Sequence, residues 1–474
     1  MLSLTLAEVA LWTKGTVRGD VQLSIRGVAS DTREPMPGAL FVALKGENFD
    51  AHEFIGAAKQ AGAVAALVSR AASIADAAPD LPLVVVNDTL LALGDLASAV
   101  RAQRSARVVG ITGSNGKTTV KTLLASILAL YGKTHVNAGN FNNEVGLPLS
   151  VLALPEDATY AVLEMGAGKP GDIDYLAAIA RPEIGLVNNI APAHLERMGS
   201  LEGVAETKGA LYSALPAHGI AVINADDAFA ALFTNITGSR RIVRFGIDHS
   251  ADVRAEIRKL GAESHFRLKL PSAEADIRLP LAGRHNVLNA LGAAAVAYAL
   301  DVPIATIRQG LESAPAVKGR LLRHAMPGGW TLIDDSYNAN PGSAAAAIAT
   351  LAQESGEAWL VLGDMRELGS QAEQLHAQTG ELARRSGIQR LFAVGELSRA
   401  SAVAFGAGAQ HFENQVSLID ALAAQVHAGI NVLVKGSRGS AMDRVVRALL
   451  DRSKTDGASD DDAGSNDGGT RHAA

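Results

Sequence analysis

Short, unbroken apolar runs recur along the chain, each closed by a polar residue or glycine and followed by an Ala- and Leu-rich stretch with helical spacing. The clearest runs are Val108–Thr112, Tyr160–Met165, Ile184–Asn188, Trp330–Asp334, Trp359–Gly363 and Asn431–Lys435. A strand wetted on one face alternates apolar and polar positions. A continuous apolar run belongs to a strand covered on both faces, as in a parallel sheet flanked by helices. The regular alternation of such runs with helical segments predicts an α/β fold with right-handed crossovers. Ligands of these sheets collect beyond the carboxyl ends of the strands, so polar residues just after each run are the first candidates for chemistry.

The pattern divides into three blocks. Residues 1–105 form a smaller α/β unit that closes in the polar, basic stretch Arg101–Arg107. A central block, 106–314, opens with a glycine-rich loop, and a third, 315–452, opens with Pro315–Arg320 and carries strands near 330, 359, 390 and 431. The tail, 453–474, is rich in Asp, Gly, Ser and Ala without apolar periodicity and is expected to be disordered. Three domains also match the length: 474 residues at about 150 per domain.

Composition narrows the function. Apolar residues are 48% and charged residues 19%, enough for ordinary cores. A net charge of −6 gives no positive field to recruit nucleic acid or anionic lipid, and 4% aromatics argue against a base-stacking platform. The chain has no cysteine, which excludes disulfides, thiolate metal sites and Cys nucleophiles. Met1–Glu8 has no basic residue ahead of its apolar stretch, so it does not read as a secretory signal. The uncharged helical segment Asn286–Leu300 is shorter than the ~20 residues of a membrane span. A soluble, cytoplasmic protein, with neither nucleic-acid binding nor membrane insertion, is expected.

The strongest local signal is Gly110-Ile-Thr-Gly-Ser-Asn-Gly-Lys-Thr-Thr119, set between an apolar strand and the helical stretch Val120–Leu128. Gly113, Ser114, Asn115 and Gly116 would let backbone N–H groups converge on phosphate oxygens at the positive end of the helix. Lys117 would reach the outer phosphates, Thr118 would offer its hydroxyl to Mg²⁺, and Thr119 would join them in binding the nucleotide. The glycine spacing differs from the standard phosphate loop, with Ile111 where its first glycine falls.

Two further residues fall at the same sheet end. Glu164 closes the run Tyr160–Met165, and His194 follows the run Ile184–Asn188 by a short loop. A carboxylate and a neutral imidazole beside a triphosphate suit Mg²⁺, although the ion prefers oxygen and keeps waters. On the residues alone, Glu164 also reads as a capping or ion-paired carboxylate and His194 as an ordinary loop histidine. In Gly283–Gly292, Asn286 and Asn289 share a helix face, where their amides would cap the helix or meet an adenine edge.

With these motifs in hand, the chain resembles the Mur ligase family. The resemblance runs from about residue 25 to about residue 450. It rests on Thr112–Thr119 together with Ser30–Arg33, Gly139–Pro148, Leu163–Gly166, Ala193–Glu196, Asp335–Pro341 and Lys435–Gly439, in that order along the chain. It implies a three-domain architecture, with a substrate-binding first domain, a central phosphate-loop ATPase domain on a parallel sheet, and a Rossmann-like third domain.

The resemblance also implies site residues. Lys208, which spacing alone would leave as a solvated helix cation, matches the family lysine that reacts with CO₂ to become an anionic carbamate and so an oxygen ligand for Mg²⁺. Asn289 would contact adenine, Arg320 would reach the γ-phosphate from across the cleft, Asp335 would hold the ribose, and Tyr337 and Asn338 would lie near the nucleotide. Lys117, His194, Lys208 and Arg320 would be catalytic, and Thr118, Glu164, His194 and Lys208 would surround the metal. Asp31, Arg33 and Lys45 would bind the UDP end of a substrate, although the Asp31–Arg33 pair reads equally as a solvated ion pair. Asn143 would bind substrate, and Lys435 and Arg438 would grip a carboxylate, that of D-alanyl-D-alanine or of the peptide.

Within the family, Asp335-Ser-Tyr-Asn-Ala-Asn-Pro341 is most like the enzyme that joins D-alanyl-D-alanine to UDP-N-acetylmuramoyl-tripeptide with ATP, through an acyl phosphate. The third block lacks the Asp-Asn-Pro-Arg signature of the ligase that adds a single diamino acid. Implied partners are those two substrates, implied cofactors ATP, Mg²⁺ and the carbamylated lysine, and the implied state a monomer. A nucleotide-gated module that hydrolyses ATP as a switch is the alternative class. No residue announces itself as a base for the incoming amine.

Overall fold

The computed structural model describes residues 2–46, 49–70, 78, 80–192 and 195–460, the last eight by backbone alone. In the first block, Gly27–Ala29, Ala39–Val42, Ala65–Val68 and Leu83–Val85 pair in parallel in that order, and Thr16–Arg18 closes one edge antiparallel. Ala39–Val42 and Ala65–Val68 are buried at every position, as the unbroken apolar pattern demands. Helix Thr89–Ala102, capped by the Asp88 carboxylate, carries this block onto the central one. Leu93, Leu96 and Val100 share an apolar cluster with Val151, Ile173 and Leu176.

The basic stretch at this junction is not a polar connector. Arg101 is only 7% exposed, and its guanidinium donates to the carbonyls of Ala180 (2.9 Å), Arg104 (2.7 Å) and Ala106 (3.2 Å). A rigid five-donor head can satisfy several chain-end carbonyls at once, which a single-residue pattern does not reveal.

Nine strands form the central sheet. From one edge they run Ala273–Leu279, Ser264–Leu270, Val253–Lys259, Arg241–Gly246, Ile220–Asn224, Ile184–Val187, Arg107–Thr112, Tyr160–Glu164 and Thr134–Val136. Arg107–Thr112 lies third from one edge and pairs in parallel with Tyr160–Glu164 on one side and Ile184–Val187 on the other. The chain thus reverses its progression across the sheet at this strand, and a crevice opens at its carboxyl end. The sheet is mixed rather than purely parallel, because Val253–Leu279 adds an antiparallel meander. These strands alternate with charged, partly wet positions such as Arg267, Glu274 and Asp276, so they carry none of the unbroken apolar runs.

The third block holds six strands in the order Leu322–Met326, Trp330–Asp335, Ile430–Lys435, Glu357–Gly363, Arg390–Val394 and Ala409–Phe412, parallel except for the first pair. Helix Pro341–Leu351 starts at Asn340, whose carbonyl oxygen Oδ1 accepts from Ser343 N (2.9 Å) while Ser343 Oγ accepts from Asn340 N (3.0 Å). The last helix, Asp443–Asp460, runs past 452, where disorder was expected to begin, and residues 461–474 lie outside the described set. No described helix is long and apolar enough to cross a membrane.

Candidate active site

The phosphate loop leaves strand Arg107–Thr112 through two positive-φ glycines, Gly113 (143°) and Gly116 (79°). A side chain at Gly116 would lie 2.3 Å from Asn289 Oδ1 and 2.5 Å from Asn188 Nδ2, so both backbone angle and space select glycine. The segment after Ile184–Val187 holds the loop in shape. Ser114 N donates to Asn189 O (2.8 Å), Asn115 N to Asn189 Oδ1 (3.0 Å), and Asn188 Nδ2 to Asn115 O (2.9 Å). Helix Lys117–Ala129 follows with no side-chain cap, so its first amides face the loop. Lys117 Nζ folds back onto Gly113 O (2.8 Å) and Ser114 O (3.4 Å). Burial lowers its pKa, opposed by Glu164 and reinforced by Arg320.

Glu164 is 3% exposed and fully engaged. Its Oε2 accepts from Thr118 Oγ1 (2.9 Å) and lies 3.4 Å from Lys121 Nζ, while Oε1 accepts from Asn142 Nδ2 (2.7 Å). Burial opposes its ionisation, but the Lys117 and Lys121 ammoniums and these donors hold the carboxyl below its ordinary pKa. Thr118 and Glu164 therefore present two adjacent oxygen donors at the mouth of the loop, a set that fits a hard cation. Among the described residues no three His, Cys, Asp or Glu side chains cluster, so such a cation would complete its shell with phosphate and water oxygens. His194 lies outside the described residues.

Lys208 sits on helix Leu201–Ser213, 1% exposed. Burial and the nearby Lys117 cation bring its pKa down to about 7, with Asp172 opposing. It does not line the central cavity.

At the nucleotide end, Gly283 rather than Asn286 is the N-cap of helix Arg284–Ala299. Asn286 Nδ2 donates to Ala282 O (2.8 Å), and its Oδ1 accepts from Asn289 Nδ2 (3.0 Å). Asn289 Oδ1 in turn accepts from Asn188 Nδ2 (2.8 Å), so both amides belong to a buried chain beneath the loop.

The third block closes over this assembly. Arg320 Nη2 lies 3.3 Å from Thr118 Oγ1, and Asn340 Nδ2 donates to Asn115 Oδ1 (2.8 Å). Between the blocks lies a cavity of about 620 Å³. Ser114, Asn115, Gly116, Lys117, Thr119, Asn143, Glu164, Asn286 and Asn289 face it from one side, and Arg320, Asp335, Tyr337, Asn338 and Lys435 from the other. Asp31, Arg33 and Lys45 do not line it. The Asp31 and Arg33 side chains are exposed and paired at 2.5 Å, and the Arg33 hydrogen bond takes the Asp31 pKa down to about 2. Arg438 is also outside, with its backbone N on Asn338 Oδ1 (3.2 Å).

The Mur ligase middle domain matches residues 111–297, the Mur ligase glutamate ligase domain residues 319–438, and the Mur ligase catalytic domain residues 24–101. The UDP-N-acetylmuramoyl-tripeptide--D-alanyl-D-alanine ligase of Escherichia coli (strain K12) is 45% identical over 454 residues, covering 95% of this chain and 99% of that protein. The chain belongs to the Mur ligase family. Crystal structure I of MurF from Acinetobacter baumannii superposes with a TM-score of 0.89 at 34% identity, covering 95% of this chain and 99% of that one. MurF ligase from Thermotoga maritima, solved in complex with ADP, gives 0.79 at 27% identity, covering 91% and 98%.

As a Mur ligase, the chain carries its phosphate loop in the middle-domain segment and Arg320 in the glutamate-ligase segment. Several residues in and around the cleft were given no role by the sequence reading. Asn188 and Asn189 follow a strand, the position where candidates were sought. Lys121, one helical turn beyond Lys117, reads as a solvated cation until Asn137 O and Gly139 O, each 3.0 Å from its Nζ, close over it. His285 lines the cavity, and burial brings its pKa down to about 4 against the pull of Asp335, so the ring is neutral at pH 7.

Proposed function

We propose that this chain is the ATP-dependent ligase that joins D-alanyl-D-alanine to UDP-N-acetylmuramoyl-tripeptide, giving the pentapeptide precursor of peptidoglycan. The observation that carries the reading is Arg320 of the third block bonded to Thr118 of the phosphate loop, with a cavity of about 620 Å³ between the blocks, large enough for a nucleotide and a peptide end. A carboxylate is a poor acylating agent because its oxygen leaves badly. Here the terminal carboxylate of the tripeptide attacks the γ-phosphate of ATP, releasing ADP and forming an acyl phosphate. The amine of D-alanyl-D-alanine then attacks the acyl carbon, and phosphate leaves from the tetrahedral intermediate.

The side chains supply position and charge rather than covalent chemistry. The loop amides and Lys117 hold the β- and γ-phosphates, and Arg320 neutralises the charge that grows on the transferred group. The amides of Asn286 and Asn289 border the adenine end. Thr118 and Glu164 would hold Mg²⁺, with His194 the nitrogen ligand that the family resemblance implies. A divalent cation there would offset phosphate charge and orient the in-line geometry. Closure of the third block excludes water from the acyl phosphate. The first block takes the UDP end, and the enzyme acts as a monomer.

Lys208 is the residue proposed to be carbamylated. An unprotonated amine adds CO₂ and loses a proton, and a pKa near 7 leaves that amine available at neutral pH. The product would replace two like charges, Lys117 and Lys208, by an opposite pair in a buried place. We place the enzyme in the cytoplasm, where ATP and the nucleotide precursor are.

The test is to incubate purified protein with ATP, Mg²⁺, the UDP-tripeptide and D-alanyl-D-alanine and to identify the product by mass spectrometry. The pentapeptide nucleotide is expected, with phosphate released only when both acceptors are present. Phosphate release indifferent to both would mark a nucleotide switch instead.

A further inference from the structure

Asp335 and Lys435 are direct partners in the parallel ladder between Trp330–Asp335 and Ile430–Lys435, so their side chains leave the same face at the carboxyl end of the sheet. Lys435 Nζ lies 2.5 Å from Asp335 Oδ2 and 3.0 Å from Asn338 O, and the residue is 3% exposed. Its ammonium is therefore committed inside the third block, which is not the arrangement of a lysine presented to a substrate carboxylate.

The other oxygen of the pair holds the residue that follows Arg320. Asp335 Oδ1 accepts from the backbone N of Leu321 (3.3 Å). Leu321 is a non-glycine residue at φ 52°, a conformation that the surrounding structure must impose. Gly319, at φ 72°, precedes it, and Tyr337 N donates to Gly319 O (3.2 Å). The Tyr337 ring lies under the Arg320 guanidinium, 4.5 Å from its centre, and the Arg438 guanidinium lies 5.3 Å from the same ring. Every bond described thus bears on the left-handed turn from which Arg320 crosses to the phosphate loop.

The geometry points to Lys435 as a positioning residue that acts through Asp335: it fixes the carboxylate that holds the Gly319–Leu321 turn and so sets the reach of Arg320. This rests on the ligase reading above and replaces the carboxylate-gripping role that family resemblance implies for Lys435. The two roles separate kinetically. Loss of a grip raises KM for D-alanyl-D-alanine or for the UDP-tripeptide, whereas loss of positioning lowers kcat with both KM values unchanged.

The experiment compares wild type with Lys435→Met and Lys435→Arg, each also in an Arg320→Lys background, by steady-state kinetics in all three substrates and by thermal unfolding. For Lys435→Met, a fall in kcat of about tenfold or more is expected, with KM for D-alanyl-D-alanine within about twofold. In the Arg320→Lys background the same change should cost less than about threefold, because the group it positions has already been altered. Lys435→Arg, which keeps the cation, should recover most of kcat and confirms a folded enzyme if Lys435→Met unfolds. A KM rise of about tenfold for D-alanyl-D-alanine or for the UDP-tripeptide, or a loss that multiplies fully in both backgrounds, overturns the inference while wild-type activity preserves the ligase reading. A wild-type protein that makes no pentapeptide product removes both.

Discussion

Arg320 Nη2 lies 3.3 Å from the Thr118 hydroxyl oxygen, across 202 residues of chain. The Asn340–Asn115 bond spans the same gap, so the structure has the third block closed on the phosphate loop. A guanidinium brought there from a separate lobe marks the moment of closure, because the phosphate site is complete only when the lobes meet.

Replacing Arg320 by Ala should therefore strike turnover rather than folding. A fall in kcat on the order of 10³ is expected, with a much smaller change in ATP affinity, since the charge it offsets grows during phosphoryl transfer. Steady-state kinetics and a nucleotide titration check this. A kcat within about tenfold of wild type would show that Arg320 is a latch and not a participant.

Gly116→Ala should weaken both the fold and nucleotide binding. The new methyl would meet Asn289 Oδ1 at 2.3 Å with φ at 79°, and such strain costs about 1–3 kcal/mol. Gly27→Ala, whose nearest neighbour would be 3.9 Å away, is the control and should behave nearly as wild type. Denaturant unfolding and ADP titration give the comparison, and equal behaviour of the two variants would count against the packed loop.

How far the sequence disclosed this site follows from what each signal depends on. Strands such as Ile184–Val187 and Ile430–Lys435 were legible because burial on both faces forces an unbroken apolar run. The meander Val253–Leu279 was not, because a half-wet strand there carries as many charges as apolar groups. The phosphate loop was legible because its glycines and lysine are local. Partnerships between distant segments were not: Arg101 stood only in a polar, basic stretch and is buried, Asn286 was offered as a cap or an adenine contact and the cap is Gly283, and Lys435 was expected to grip a carboxylate and is paired with Asp335. In each case the deciding neighbour lies on another element, which no spacing along one segment can show.

Lys208 ties stability to pH with a definite sign. Its folded pKa of about 7 lies below the value of about 10.4 for an unfolded lysine, so between these the unfolded chain binds more protons. Stability in CO₂-free buffer should rise with pH across that window, and Lys208→Met should remove that part of the slope. Denaturant midpoints at several pH values test the sign. Carbon-labelled bicarbonate should give a carbamate resonance in wild type that is absent from the variant. Identical slopes would place Lys208 in contact with solvent.

Glu164→Gln keeps the shape and the Thr118 and Asn142 neighbours but removes the anion between Lys117 and Lys121. The Mg²⁺ concentration for half-maximal turnover should rise about tenfold or more, as should the Mg²⁺ dissociation constant of the ADP complex measured by calorimetry. Unchanged Mg²⁺ affinity would leave Glu164 as an anchor for Lys121 alone.

The most direct test of carboxylate activation in the cleft is the fate of a heavy-oxygen label placed in the terminal carboxylate of the UDP-tripeptide. Attack on the γ-phosphate followed by displacement by the amine must carry one labelled oxygen into the released phosphate. Phosphate bearing the label, formed in step with the pentapeptide nucleotide, is the predicted result. Product formed with unlabelled phosphate would contradict the account.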